Sequence, residues 1–469
     1  MPMQRAVFHD PIPLPGDAKS RLAHISLPLL YDPLVNGLED EQEDLGMQKG
    51  YDIAKRYRVA DSIGKGSFSK VLRCQDLKFN TDVCVKMLLS DKDFLDSGLG
   101  EVRVLALIAQ LDPDGEQPIV RMLDYFYFRE HLFVVLDLCG DSLFALIKSF
   151  ATEQERLNCL NANVLASVSR QLSSGLLFLH RNGIVHCDLK PENICLVSAR
   201  NMVVKIIDLG SAVLRGDCHS SYVQSRWYRA PEVIVGSKWD ARIDMWSLGT
   251  LVAELILGVP IFRGSTSEEV LASMAAVVGP VPAYMVREQL SSMFFTSEGS
   301  IFHADRQGHS GVYLLSPKPS MRLNRLLQAI GDRQCVEFIS GLLEMDPRSR
   351  LDAESALRHS FLVTQSPTGS LRQSATDSRA CTFTAATFAT YKSSNPPSTQ
   401  TSAQASPMVS LSSSSTLDAS PSQPAVEQRL GSQKEPGLAH GFERRNNTRW
   451  YGVPVTNPFR VRPLEEGLP

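Results

Sequence analysis

The chain predicts an α+β fold with its strands gathered ahead of its long helices, and three observations carry that reading. Short valine-bearing runs bounded by turn formers or polar residues begin at Tyr57. After Gly140 the apolar residues recur at helical spacing instead. From Thr364 to about Pro424 the composition shifts to Ser, Thr, Ala and Pro. A strand buries alternate residues and a helix every third or fourth, so the change of period near Gly140 divides a small sheet-plus-helix lobe from a larger helical one.

In chain order, residues 1 to about 50 carry six prolines ahead of the acidic clusters Glu39-Asp40-Glu41 and Glu43-Asp44, which predicts a flexible arm. Strands follow at Tyr57 to Ala60, Val71 to Cys74 and Val83 to Lys86, then a helix over Glu101 to Ile108. Two further apolar strands, around Met122 to Tyr127 and Leu132 to Leu136, complete the small lobe. Val164, Leu165, Val168, Leu172, Leu176 and Leu179 line one face of a long helix that Asn182-Gly183 stops. A strand is expected at Val203 to Ile207, and helices dominate from Asp244 to Phe361. The Ser/Thr/Pro-rich tail, 365–469, buries too little apolar surface to offset its ordering entropy and is expected to be disordered.

Composition excludes several function classes. The 469 residues are 43% apolar and 21% charged, suited to a large core, and a net charge of -3 supplies no basic field for nucleic acid. Nine scattered cysteines without a CxxC pair fit a reducing compartment, the cytoplasm or nucleus, with neither a disulfide framework nor a zinc site. No signal-peptide core opens the chain, and no apolar run reaches membrane-spanning length. Even Thr250 to Phe262 carries Glu254 and Pro260.

The most specific stretch is Ile184-Val185-His186-Cys187-Asp188-Leu189-Lys190-Pro191-Glu192-Asn193. It spaces a carboxylate, an ammonium and an amide as phosphoryl transfer to a hydroxyl requires. Asp188 can orient the hydroxyl and accept its proton, Lys190 can neutralise the transferring phosphoryl, and Asn193 can hold Mg²⁺. Upstream, Ile63, Gly64, Lys65, Gly66, Ser67, Phe68 and Ser69 lie between two strands, where glycines let backbone approach phosphates, and Val71 can pack on an adenine ring.

HCDLKPEN resembles the HRDLxxxN catalytic loop of eukaryotic protein kinases, and its lysine two places after the aspartate is the serine/threonine form. The resemblance implies the two-lobe eukaryotic protein-kinase fold over 51–364: an N-lobe of about 57–136, a hinge at 137–141 and a C-lobe at 142–364, flanked by the two tails. It implies ATP and Mg²⁺. Lys86 then matches the VAIK lysine, with Glu101 as its ion-pair partner, and Asp208-Leu209-Gly210 matches the DFG element, making Asp208 a second metal ligand. Backbone groups of Asp137, Leu138 and Cys139, behind Leu136, would bond adenine. Glu232 is expected to pair with Arg350, and Asp244 to brace the catalytic loop. Two positions depart from the pattern: Ser69 replaces the third glycine and Leu209 the DFG phenylalanine.

Ser220 to Arg229 is similar to the YxYxQSRFYR activation segment of dual-specificity tyrosine-phosphorylation-regulated kinases, and Cys187 in place of arginine points the same way. DVCVK, DYFYFREHL, DLGSA and SYVQSR resemble that family's plant and protist branch. The insert from Thr266 to Asp332 fits the wider CMGC group. The likeness runs from about Tyr51 to Leu362, roughly two thirds of the chain. It implies autophosphorylation of Tyr222 in cis, followed by action on serine and threonine of protein substrates. A phosphotyrosine carries about -1.5 to -2 charge, and Arg226 and Arg229 are spaced to clamp it where Cys187 cannot. The segment's resemblance to the group's proline-accepting pocket implies proline-directed substrates. Glu192 could read an upstream arginine, although Ala145 stands where animal members carry a second acid. A monomer is expected, with tails free to bind other proteins. Two other readings stay open: a pseudokinase scaffold, and another CMGC kinase without tyrosine autophosphorylation.

Overall fold

Valine-rich alternation produces the expected sheet. A computed structural model of the chain describes residues 4–8, 27–31, 47–65, 69–90, 92–215, 223–287, 294–296, 300–304, 310–313, 320–363 and 461–463. Strands β1 (Gln4–Phe8), β2 (Leu27–Tyr31), β3 (Asp52–Ile53), β4 (Tyr57–Lys65), β5 (Ser69–Asp76) and β6 (Thr81–Leu88) precede helix α1 (Lys92–Leu111). Strands β7 (Met122–Phe128) and β8 (His131–Asp137) complete an eight-stranded sheet in the order β1-β2-β7-β8-β6-β5-β4-β3. The arm read as flexible over 1–50 thus contributes β1 and β2. The pair closes on the open side of β7, where an edge strand otherwise presents unpaired backbone groups.

Alternation along β6 sorts its side chains between two cores. Val83, Val85 and Met87 join Ile53, Tyr57, Val59, Leu72 and Phe133 in a small outer core, while Leu88 faces a large one shared with α1 and the C-lobe. Arg56 ties the outer strands together by pairing with Asp76 at 2.7 Å and Asp124 at 2.8 Å. Helix α1 begins well before the expected Glu101. Its first turns carry Asp96, Ser97, Gly98 and Gly100, which interrupt the apolar period, but packing at Gly98 requires the small residue. A Cβ on Gly98 would lie 2.4 Å from Leu88 and 2.8 Å from Leu132.

The C-lobe is built on α2 (Leu143–Ser149), α3 (Glu153–Cys159) and α4 (Ala162–Arg181), each opened by a side-chain cap from Ser142, Thr152 or Asn161. Strands β9 (Ile184–Val185), β10 (Ile194–Ser198), β11 (Val203–Ile206) and β12 (Val213–Leu214) form two small antiparallel pairs around the catalytic-loop sequence. Then come α5 (Pro231–Ile234), the deeply buried α6 (Arg242–Leu257) and α7 (Ser267–Val277). Helices α8 (Ser320–Leu326), α9 (Arg333–Leu342), α10 (Ala353–Arg358) and α11 (Ser360–Val363) end the lobe. The insert expected to be helical also holds β13 (Phe302–Ala304) and β14 (Ser310–Tyr313), and β15 (Val461–Pro463) from the tail pairs with β14. Ladder hydrogen bonds there stabilise segments too short and too polar to show a period.

Candidate active site

Strand β6, helix α1, the catalytic loop and the turn after β11 carry five charged groups, Lys86, Glu101, Asp188, Lys190 and Asp208. Lys86, on the face of β6 opposite the outer core, donates to Glu101 of α1 at 2.9 and 3.0 Å and to Asp208 Oδ1 at 2.9 Å. Burial alone would pull the Lys86 ammonium down, but the two carboxylates hold it well above its ordinary range. Burial raises the Glu101 carboxyl, and Lys86 draws it back. Burial also pushes Asp208 up, yet Lys86 outweighs it and holds Asp208 below the usual carboxylate range. Gly210 makes room for this cluster: a Cβ there would sit 3.3 Å from Asp208 Oδ1 and 3.6 Å from Glu101 Oε2. Leu209, the departure from the DFG pattern, is buried in the large core and keeps the apolar contact.

Asp188 is held from three sides. Its Oδ2 accepts from Lys190 Nζ at 2.6 Å, and its Oδ1 accepts from the Ser225 hydroxyl at 2.7 Å and the Ser225 N–H at 3.2 Å. Lys190 also donates to the Ser225 hydroxyl at 3.0 Å. Asn193 Nδ2 donates to the Asp188 carbonyl at 2.8 Å, which leaves the Asn193 amide oxygen as the atom available to a ligand. Below the loop, buried Asp244 accepts the N–H groups of His186 at 2.8 Å and Cys187 at 2.9 Å, with His180 Nε2 at 2.9 Å. Burial pushes the Asp244 carboxyl up, but His180 and the loop amides bring it below its ordinary value, so it braces the loop as an anion. Cys187 holds a left-handed backbone (φ 63°) with its thiol fully buried. Glu232 and Arg350 meet at 2.6 and 2.9 Å with neither exposed.

The remaining predicted residues fall on the walls or outside the description. Ile63 and Gly64 are exposed on β4, Lys65 ends that strand, and Ser69 and Val71 are half-buried on β5, with Val71 paired opposite Lys86. Gly66, Ser67, Phe68 and Tyr222 lie outside the described residues. At the hinge, Asp137 N–H is tied to the Arg121 carbonyl and Gly140 N–H to the Leu196 carbonyl, which fixes Leu138 and Cys139 between them. Arg229 is buried and donates to the Val223 and Gln224 carbonyls, at 2.8 and 2.7 Å, directly after Tyr222. Arg226 is turned to the Ser265 carbonyl.

Sequence reasoning missed a buried acid pair beside the loop. Tyr228 donates its hydroxyl to Glu254 Oε2 at 2.6 Å, and Glu192 Oε2 is buried without a hydrogen-bond partner among the described residues. Burial pushes the Glu254 carboxyl up to about 7, against the Tyr228 hydrogen bond and with help from Glu192. The available signal was Glu254 itself, a charge set in the apolar second half of α6. Because the folded pKa exceeds the ordinary 4.5, the stability contribution is full below that value and is lost as pH rises through about 7. Glu254→Gln is therefore expected to remove a decline of about 3 kcal/mol between pH 4.5 and about pH 7. Parallel urea titrations of parent and variant measure it; equal slopes with pH would refute the assignment.

The sequence matches the protein kinase domain family over residues 57–362. It is similar to the DYRK-family kinase pom1 of Schizosaccharomyces pombe, 39% identical over 330 residues, spanning 70% of this chain and 29% of that protein. It is similar also to dual specificity tyrosine-phosphorylation-regulated kinase 2 of Drosophila melanogaster (34% identity, 70% of this chain, 44% of that protein). The human kinase 4 of the same name shares 34% identity over 66% of this chain and 58% of its own length. The chain thus spans less than half the length of the first two. With the catalytic-loop sequence, the Lys86–Glu101 pair and the Glu232–Arg350 pair all inside the matched segment, the chain belongs to the protein kinase family, among the dual-specificity tyrosine-phosphorylation-regulated kinases.

Proposed function

We propose that the chain transfers the γ-phosphoryl group of ATP to serine and threonine hydroxyls of protein substrates, after phosphorylating its own Tyr222. The observation that carries this reading is the Lys86 ammonium bonded at once to Glu101 and Asp208. A protein kinase domain implies ATP as substrate and, typically, Mg²⁺. The residues suit that ion, because the ionised Asp208 and the Asn193 amide offer hard oxygen donors. When bound, Mg²⁺ would neutralise phosphate charge between them.

Catalysis on this reading is positioning and electrostatics. Lys86 orients the α- and β-phosphates, and the hinge backbone at Asp137, Leu138 and Cys139 receives adenine beside Val71. Ile63 to Ser69 cover the phosphates. Asp188 orients the attacking hydroxyl and takes its proton, while Lys190 offsets charge on the transferring group. Glu192, with one carboxylate oxygen lacking a partner among the described residues, supports preference for a basic residue upstream of the target, and the segment after Tyr222 supports proline after it. Arg226 and Arg229 would turn from backbone carbonyls to the Tyr222 phosphate.

Expression of the chain alone in bacteria, with phosphosites mapped by mass spectrometry and Asp208→Asn as control, tests the reading. Phosphotyrosine at Tyr222 in the parent and not in the control is expected. Activity on basic protein without it would replace the self-activation step by another mode of CMGC regulation. Absence of both phosphosites and ATP turnover would leave a scaffold.

A further inference from the structure

Next to the Asp244 brace of the catalytic loop, the C-lobe holds a cavity of about 510 Å³ that the proposed phosphoryl transfer does not use. The last turns of α4, the β9–β12 ladder, the first turn of α6 and the start of α10 wall it. A cavity of this size takes a small molecule. Leu177, Val185, Val213 and Trp239 pack on the large core yet stay half-buried, and their remaining apolar surface lines the cavity. The buried Leu214 and Met245 complete that lining.

The charged groups around the cavity differ in what they have left to bond. Its acids are engaged: Asp240 holds Arg242 at 2.8 Å, Asp352 accepts the Ser355 N–H at 2.8 Å, and Glu354 pairs with Arg358 at 2.7 Å and Arg181 at 3.5 Å. Its arginines keep donors to spare. Arg215 is exposed, and its guanidinium has no partner among the described residues. Its backbone N–H donates to the Gly183 carbonyl at 2.7 Å, which fixes where that guanidinium starts. Arg242 Nε is buried, also without a partner among the described residues. The cavity thus offers an apolar lining and spare donors, with no free acid to receive a cation.

We propose that this cavity is an effector site for a small monocarboxylate with an apolar body, its carboxylate on Arg215 and its body on Leu177, Val213 and Trp239. A carboxylate matches the planar guanidinium fork with two parallel bonds. A dianion finds less here, because Arg181 and Arg242 are already shared with Glu354 and Asp240. Occupancy reaches the catalytic loop by two routes. His180 lines the cavity and meets Asp244 Oδ2 at 2.9 Å, the carboxylate that holds the His186 and Cys187 N–H groups. Val185 pairs with Val213 across the β9–β12 ladder, and β9 runs directly into His186, so a body packed on both valines steadies the entry to the loop. The word effector rests on the reading of that loop as the phosphoryl-transfer site; the binding does not.

The test dialyses the full chain against biphenyl-4-carboxylate, with and without Mg·ADP, and follows amide hydrogen exchange across the catalytic loop by mass spectrometry. Saturable binding is expected, about tenfold weaker for the uncharged biphenyl-4-carboxamide and about tenfold weaker for Arg215→Gln. Arg200→Gln, which removes an exposed arginine from the turn between β10 and β11, should bind as the parent does. Bound ligand should slow exchange of the His186 and Cys187 amides about threefold. Equal binding of carboxylate and carboxamide, or of parent and Arg215→Gln, would overturn the site. So would displacement by ADP, which would put the probe in the nucleotide cleft. Binding that depends on Arg215 but leaves loop exchange unchanged would overturn the effector role. Neither readout uses phosphoryl transfer, so failure of the kinase reading would show separately, as absent turnover.

Discussion

Asp188→Asn is expected to lower the turnover number for peptide phosphorylation by about two to four orders of magnitude while leaving ADP affinity near the parental value. The amide keeps the shape of the carboxylate and can still accept from Ser225, so the loop stays folded. It cannot take a proton, and it places an NH₂ group or a neutral oxygen against Lys190, which now bonds the carboxylate at 2.6 Å. Because the proposed role of this group is on the hydroxyl and not on the nucleotide, the loss should appear in turnover and not in nucleotide binding. Steady-state kinetics with a serine peptide, together with ADP binding, measure both quantities. A less than fivefold change in turnover would show that another group takes the proton.

Arg350→Ala is expected to destabilise the folded domain by about 3–5 kcal/mol, because it leaves Glu232 charged and buried without a counter-ion. The guanidinium also donates to the Glu344 carbonyl at 2.9 Å and the Arg242 carbonyl at 3.0 Å, so its removal strands two further acceptors. At the roughly 2 °C per kcal/mol of a large domain, the melting midpoint should fall by about 6–10 °C. Replacing the pair together, as Glu232→Leu with Arg350→Met, should recover only part of the loss, since no apolar side chain satisfies those carbonyls. Calorimetry of the single and double variants decides. A single variant within 1 °C of the parent would contradict the assigned cost.

Legibility in the sequence followed how local the signal was. The strands at Val83 and Leu132 and the helix through Leu172 announced themselves by period, because one face of each is buried. The Asp188 loop was legible because its spacing is dictated by chemistry within a few residues. Lys86 and Glu101 required more, since their contact spans two elements, and the motif resemblance supplied the pairing. The contact of Ser225 with Asp188 and Lys190 was not legible: a serine in a loop carries no mark of the carboxylate it will meet. The same holds for Tyr228 and Glu254, whose meeting depends on how α6 lies against the segment that follows Gln224. The early start of α1 was hidden by Gly98, a residue that weakens helices and is required here by what it touches.

The two separate cores of the small lobe have a further consequence. Helix α1, with Glu101, and the inner-face residues Leu88, Val134 and Leu136 are packed continuously with the C-lobe helices, whereas Ile53, Tyr57, Val59, Leu72 and Phe133 form a unit of their own. The sheet is therefore a shared wall between two cooperative units of different size. Strand β6 belongs to both: Val83, Val85 and Met87 sit in the outer core while Lys86 of the same strand reaches Glu101, so local opening of the outer unit is transmitted to the Lys86–Glu101 pair through that strand and not through α1.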